Sequence, residues 1–449
     1  MTALTAEELD VLDPATGEAI GRIAAGSAEA ADAAVSAARA AQPTWARTDP
    51  AQRAAALKAG ARRLREHARE LAELQTREAG KPLADSLGGV EAGVGAIEQY
   101  AELGPMHHGS ALQGGWDATD LMVHEPRGVV AVFVPWSDPV AIACRQIAAA
   151  LVTGNAVVYK PSEKTPLSAA RIVELLDVPD GALVLLEGDA RASRPLAAHP
   201  AVDLVVHTGS MQTGREVAEA CAGRLGTVLL ELGGNDPMIV DAGVDPEWAA
   251  AQAATGAFAN AGQSSSSVER MYVHEAVAEP FIAALTRRAR ALIVGPGMDP
   301  QTEMGPLIDA DQRTWVHRHV EDAVRAGAEL FAGGAVPDGA GFFYPPTVLV
   351  GVAADAPVLR EETFGPVAAA RVVSSFDDGL AEAAAGEHGH TATVLTPSQA
   401  NADRAWRELP VDTVNVNAVF GRSGYGPELL DEVTRTKVVH LARAATSSR

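Results

Sequence analysis

The segment GVVAVFVPWSDPVAIACRQIAAALVTGNAVVYKPSEKTP, Gly128 to Pro166, decides the fold. Its first part, 128–135, is an apolar run rich in valine and bounded by Gly128 and Pro135, which reads as a buried strand. The run PVAIACRQIAAALVTG then reads as a helix, and NAVVYK (155–160) as a second strand. Apolar strands alternating with helices indicate a parallel sheet covered on both faces.

The pattern extends outward from this unit. Upstream, residues 28–103 alternate alanine, charge and leucine at helical spacing. One amphipathic helix precedes Pro50, and a second starts at Pro50-Ala51 and runs to Gly80. Downstream, SAARIVELLD reads as helix, ALVLLEG and VDLVVHTGS as strands, MQTGREVAEACAG as helix and TVLLEL (227–232) as strand. A second alternating series follows Asn235, with RMYVHE, PFIAALTRRARALIVG, RTWVHRHVEDAVRAGAEL and TATVLT. The fold class is therefore α/β, with two doubly wound domains. The tail TRTKVVHLARA is a candidate edge strand for pairing with a partner subunit.

Bulk properties narrow the function classes. The 449 residues are 47% hydrophobic and 21% charged, enough to bury a large core. A net charge of −22 disfavours binding to a nucleic-acid backbone. No uncharged apolar run reaches the ~18 residues needed to span a bilayer, and the acidic start MTALTAEELD lacks the features of a signal peptide. A cytoplasmic protein without nucleic-acid or membrane partners is expected. Cys144 and Cys221 both fall in alanine-rich helical runs and read as buried hydrophobes. The pairs His317/His319 and His388/His390 lack a neighbouring cysteine or carboxylate cluster, so no metal site is expected from them.

Several segments carry candidate chemistry. Lys160 ends a buried strand, with Glu163 three residues on. Ligands of parallel sheets bind outside the carboxyl ends of strands, where this pair can hold the two hydroxyls of a ribose; a surface charge pair is the plainer reading. Thr208-Gly209-Ser210 opens a helix, whose N-terminus presents free N–H groups to phosphate; a simple N-cap explains Ser210 equally well. Glu231 follows an apolar strand and precedes two glycines, a position suited to a general base or to a plain turn. REETFGPVAAA places Glu361, Glu362 and Phe364 in an acidic-aromatic turn. NAGQSSSSVERMYVHE (260–275) has a Gly-Gln turn, four serines and a strand-like exit, a layout that presents a side chain.

Taken in order, PWSDPVA, GNAVVYKPSEKTP, HTGS, ELGGNDP, NAGQSSSSVERMYVHE, MGPLID, EETFGPV and RSGYGPELLDEVTRTK resemble the aldehyde dehydrogenase superfamily from about residue 9 to about 440. The resemblance implies a nucleotide-binding domain over 1–107 and 126–233, a catalytic domain over 234–418, and an oligomerisation arm from 108–125 and 432–449. It implies a homodimer or homotetramer acting on a small aldehyde-like substrate. In that family a cysteine after Gly-Gln attacks the aldehyde, hydride leaves to nicotinamide, and a glutamate activates the water that hydrolyses the thioester. By position, Glu231 is that glutamate. Lys160 and Glu163 hold the adenosine ribose, Ser210 lies at the pyrophosphate, and Glu362 and Phe364 stand on the nicotinamide ribose side. Pro135 and Trp136 line the same cleft. A carboxylate at 163 repels a 2′-phosphate, which favours NAD over NADP.

The chain departs from the pattern in four places. Ser265 stands at the nucleophile position and Ser137 at the oxyanion asparagine. The stretch GEHGH before TATVLT and the loop AVFG after Asn417 are both shortened. A serine hydroxyl is a weak nucleophile without a base, and losing one oxyanion donor lowers rates by ~10²–10³. The paired serines and shortened loops read as natural divergence rather than one introduced change. Three functions follow: an NAD-dependent aldehyde oxidoreductase with impaired chemistry, a repurposed homologue, or a non-catalytic NAD-binding scaffold.

Overall fold

A computed structural model describes residues 7–116, 118–386, 389–421 and 428–442. His388, residues 422–427 of the RSGYGP stretch, and residues 443–449 of the expected arm lie outside the described residues.

The segment 128–166 forms a strand, Val129–Val134, a helix, Pro139–Val152, and a strand, Ala156–Pro161. The two strands are adjacent and parallel, with Phe133 opposite Lys160. Side chains alternate along a strand, and both faces here are apolar. Val130, Val132, Val134 and Val157 pack with Ile147 and Leu151 on one side. Val129, Ala131, Phe133 and Val158 pack with Ala31 and Val35 on the other. That two-sided burial is why the strands read as continuous apolar runs.

Five parallel strands make this sheet, in the order Leu183–Leu185, Ala156–Pro161, Val129–Val134, Leu204–Gly209, Thr227–Leu232. Lys160, Ser210 and Glu231 therefore fall at or just beyond strand ends on one edge of the sheet, as expected. A Gly-Gly-Asn link then carries the chain into a seven-stranded sheet. Its order is Glu329–Ala332, Thr347–Val350, Val367–Val373, Val268–His274, Asp236–Val240, Thr391–Leu395, Thr413–Val416. Only the edge strand Glu329–Ala332 runs antiparallel to its neighbour.

A third, antiparallel sheet joins Thr434–Ala442, Ala118–Pro126 and Ser110–Leu112. The tail strand is an edge strand, and Val438 and Leu441 on it are exposed.

One expectation needs correction. The helix read as continuous from Pro50 to Gly80 is two helices, Pro50–Glu66 and Ala68–Ala79. His67, at φ −106° and ψ 17°, leaves helical geometry. Its ring Nδ1 and its backbone N–H both bond the Arg63 carbonyl, so side chain and backbone share one acceptor at the break. Gly80 does end the second helix, in a left-handed conformation.

Candidate active site

The serine turn follows the helix Pro246–Phe258. Asn260, Ala261 and Gly262 take three successive left-handed conformations, at φ 51°, 55° and 70°. Gly262 is required, because a Cβ there would lie 2.0 Å from the Gly365 carbonyl oxygen. Ala261 has no such freedom and stores ~1–3 kcal/mol of strain. Side chains hold the turn from both sides. The Asn260 amide donates to the carbonyls of Ser137 (3.2 Å) and Gln263 (2.8 Å). Gln263 donates to the carbonyls of Asn260 and Pro306 and accepts from the Ile308 N–H. The turn Ser264–Ser267 is thereby presented just before the strand Val268–His274.

The four hydroxyls are not equivalent. Ser264 Oγ accepts the Ser266 N–H, and Ser266 Oγ lies 3.5 Å from the Thr391 hydroxyl. Ser267 Oγ is buried. Ser265 faces a cleft of about 1520 Å³ with Ser264 and Ser266, and among the described residues no base bonds its Oγ. Ser137 and Glu231 line the same cleft, so the three sequence-assigned catalytic positions converge.

Glu231 is the last but one residue of its strand and lies opposite Thr208. It forms a close ion pair with Arg145, and its side chain is 11% exposed. The Thr208 hydroxyl donates to the same carboxylate oxygen at 2.7 Å, and Gln146 donates to it at 3.3 Å. Three donors on one oxygen fix the orientation of the carboxylate and leave its other oxygen to accept a proton. Arg145 and Gln146 sit on the helix Pro139–Val152, directly after PWSDP.

None of the other sequence-assigned positions, Pro135 and Trp136 included, is among the residues that line this cleft. Lys160 is 3% exposed, which overturns the surface charge-pair reading. Burial pulls its ammonium down to about 8, with Glu163 opposing the shift. Its hydrogen bond to the Pro161 carbonyl (2.5 Å) leaves further protons for a ligand. Ser210 caps the helix Met211–Ala222, accepting the Thr213 N–H at 3.3 Å. Trp136 meets Phe364 edge to face at 5.4 Å, and Pro135 precedes that tryptophan in the chain.

Phe364 and Glu362 belong to a tightly held turn. Glu269, fully buried, accepts the N–H groups of Thr363 and Phe364 at 2.8 Å each. Trp315 and Gln312 donate to the carbonyls of Glu362, Thr363 and Phe364. A Cβ at Gly233 would lie 2.1 Å from Glu362 Oε1, so the first glycine of ELGG lets this carboxyl approach the Glu231 strand end.

Burial pushes the Glu362 carboxyl up to about 7 and Asp236 up to about 8. A carboxyl whose pKa rises on folding stabilises the fold fully below its unfolded value. That contribution is lost as pH rises through the folded value. For Glu362 the window runs from about 4.5 to about 7, and the full effect is about 3 kcal/mol. Thermal melts across that window are expected to show a weaker fall in stability for Glu362→Gln than for the parent protein. Parallel curves would remove Glu362 as a cause.

The two thiols offer no substitute nucleophile. Both are buried, and burial drives Cys144 up to about 12. His317 bonds the Tyr344 hydroxyl and His319 the Thr363 hydroxyl. In the altered GEHGH stretch, the His390 and Thr391 N–H groups donate to Asp236, and the His390 ring meets Asp412 at 3.3 Å.

Residues 2–426 match the model of the aldehyde dehydrogenase family. The chain belongs to the aldehyde dehydrogenase family. It is 36% identical to a betaine aldehyde dehydrogenase of Rhizobium leguminosarum bv. trifolii (strain WSM2304), over 96% of this chain and 93% of that one. A solved lactaldehyde dehydrogenase superposes with a TM-score of 0.96 at 30% identity, covering 98% of this chain and 97% of that one. A betaine aldehyde dehydrogenase of Staphylococcus aureus, solved in complex with NAD+, gives 0.94 at 30% identity, covering 97% and 92%. No helix among the described residues is long and apolar enough to cross a membrane.

For an aldehyde dehydrogenase, the residues that sequence reasoning missed are those acting through a second contact. Arg145 and Gln146 restrain Glu231, Asn260 ties the serine turn to Ser137, and Glu269 braces the turn carrying Glu362. The ion pair had one sequence signal: Arg145 is the single charge within an otherwise uncharged helix.

Proposed function

We propose that this family member binds NAD and oxidises an aldehyde to a carboxylic acid, with Ser265 in the nucleophile position and a turnover limited by its altered site. The carrying observation is the convergence of Ser265, Ser137 and Glu231 on one cleft. The residues present also fit NAD. Lys160 is a buried cation with donor capacity left over, Ser210 opens a twelve-residue helix, and Gly233 makes room for Glu362. When bound, NAD supplies the hydride acceptor.

The chain's own groups then divide the work. Lys160 and Glu163 bind ribose hydroxyls, and the N-terminus beside Ser210 receives the pyrophosphate. Ser265 Oγ adds to the aldehyde carbon, and its proton passes to the carbonyl oxygen, giving a hemiacetal. Loss of hydride together with release of the hemiacetal hydroxyl proton to solvent leaves an ester on Ser265. Glu231 removes a proton from the water that cleaves this ester to the acid and free Ser265. Each step involving a proton is slowed: among the described residues no base bonds Ser265 Oγ, and one oxygen of Glu231 is tied to Arg145. The same two facts favour a second reading, NAD binding without turnover. The exposed edge strand Thr434–Ala442 supports assembly of a homodimer or homotetramer through that arm.

Calorimetric titration of the full chain tests the reading. NAD is expected to bind more tightly than NADP because Glu163 repels a 2′-phosphate. Lys160→Ala is expected to weaken NAD ~10–100-fold, the size of a charge-assisted hydrogen bond. NADH formation is then followed with betaine aldehyde and lactaldehyde, the substrate types of the relatives. Absence of NAD binding would overturn both readings.

A further inference from the structure

We propose that His107, His124 and Asp431 form a binding site for a first-row divalent cation, zinc foremost, at the junction of the arm and the C-terminal helix. One ligand atom from each residue lies within 4.8 Å of the other two, the only such group of three or more among the described residues. Two imidazoles and one carboxylate are a donor set suited to zinc and its neighbours.

The three ligands come from three elements. His107 follows the short turn Gly104–Met106 at the end of the helix Leu83–Leu103. His124 lies on the strand Ala118–Pro126, opposite Thr436 of the tail strand. Asp431 lies on the short helix Glu428–Glu432. None is near another in sequence, so no spacing motif announces the site.

The three ligand atoms are neighbours but stand wider apart than in a coordinated cation. His107 Nε2 stands 3.7 Å from Asp431 Oδ1, and the two imidazole rings stack at 4.2 Å between centroids. Ligands ~2.0–2.1 Å from zinc in a tetrahedron lie ~3.3 Å apart. Closing that gap takes a contraction of ~1.5 Å at most. Rotation of the His124 ring out of its stack, together with a rotamer change at the mostly exposed Asp431, supplies it. The His107 side chain is 10% exposed, and Thr434 Oγ1 lies 3.1 Å from Nε2, a hydrogen bond that a cation bound through this nitrogen replaces. A water completes the coordination.

The position gives the cation a structural effect. The helix that carries Asp431 also puts Glu428, Leu429 and Glu432 on the wall of the active-site cleft. Cation binding therefore pins that wall to the arm strand and to the end of the helix Leu83–Leu103.

The test uses the full chain after chelator treatment, with Zn2+ itself as the probe. Calorimetry is expected to show one site per chain, weakened at least tenfold by His124→Gln and by Asp431→Asn. Co2+ is expected to give visible ligand-field bands that both variants lose. Asp431 is mostly exposed, so its near-isosteric substitution keeps the fold and carries the test if His124→Gln does not fold. No stoichiometric binding by the parent chain, or binding that both variants retain in full, would overturn the proposal. With a net charge of −22, retained binding would mean scattered surface carboxylates.

Discussion

Replacing Ser265 by cysteine is expected to raise aldehyde-dependent NADH formation by ~10²–10⁴-fold, the contribution of proton removal that a serine without a base forgoes. A thiol is partly ionised near neutral pH and needs no imidazole, whereas a hydroxyl does. Glu231 is bonded by Arg145, Thr208 and Gln146 on one oxygen, and although His390 and Asp412 line the same cleft, no base among the described residues hydrogen-bonds Ser265 Oγ. The existing thiols are walled off in the cores of both halves of the nucleotide sheet's helical cover. The measurement is initial rate against aldehyde at saturating NAD, for the parent protein and Ser265→Cys side by side. Unchanged rates with intact NAD binding would sink the impaired-dehydrogenase reading and leave the non-catalytic one.

Adding Ser137→Asn to Ser265→Cys is expected to bring a further ~10²–10³-fold in kcat, the worth of one oxyanion donor. Ser137 is 8% exposed and lines the cleft with Ser265. Its carbonyl accepts the Asn260 amide, which fixes its backbone against the serine turn, so a longer amide at 137 starts from a held position. The gain belongs in kcat, because the donor bonds the oxyanion and not the ground-state carbonyl. A change confined to KM would show that residue 137 acts on substrate binding instead.

Much of this molecule is legible along the chain, and the reason differs from segment to segment. The strands 129–134 and 156–161 announce themselves because a sheet buried on both faces needs unbroken apolar runs. The helix 68–79 ends where expected because Gly80 alone adopts the left-handed cap. The break at His67 is not legible, because it depends on a ring nitrogen sharing the Arg63 carbonyl with the backbone. Ser265, Ser137 and Glu231, which line one cleft, could be singled out along the chain because each sits at a fixed place within a recognisable segment. Arg145, Asn260 and Glu269 were not, because what they do is visible only in the partner they touch.

The sequence by itself determined the α/β class and the family resemblance, and it singled out Ser265 and Ser137 as candidates for the reacting positions. These are local properties, written in apolar periodicity and in short ordered motifs. Only the tertiary structure decided that Lys160 is buried, that Arg145 holds Glu231, and that no base among the described residues bonds Ser265 Oγ. The cluster of His107, His124 and Asp431 also exists only in the folded chain. Burial, ion pairing and ligand convergence join residues from distant segments, and no periodicity records which distant side chains will meet.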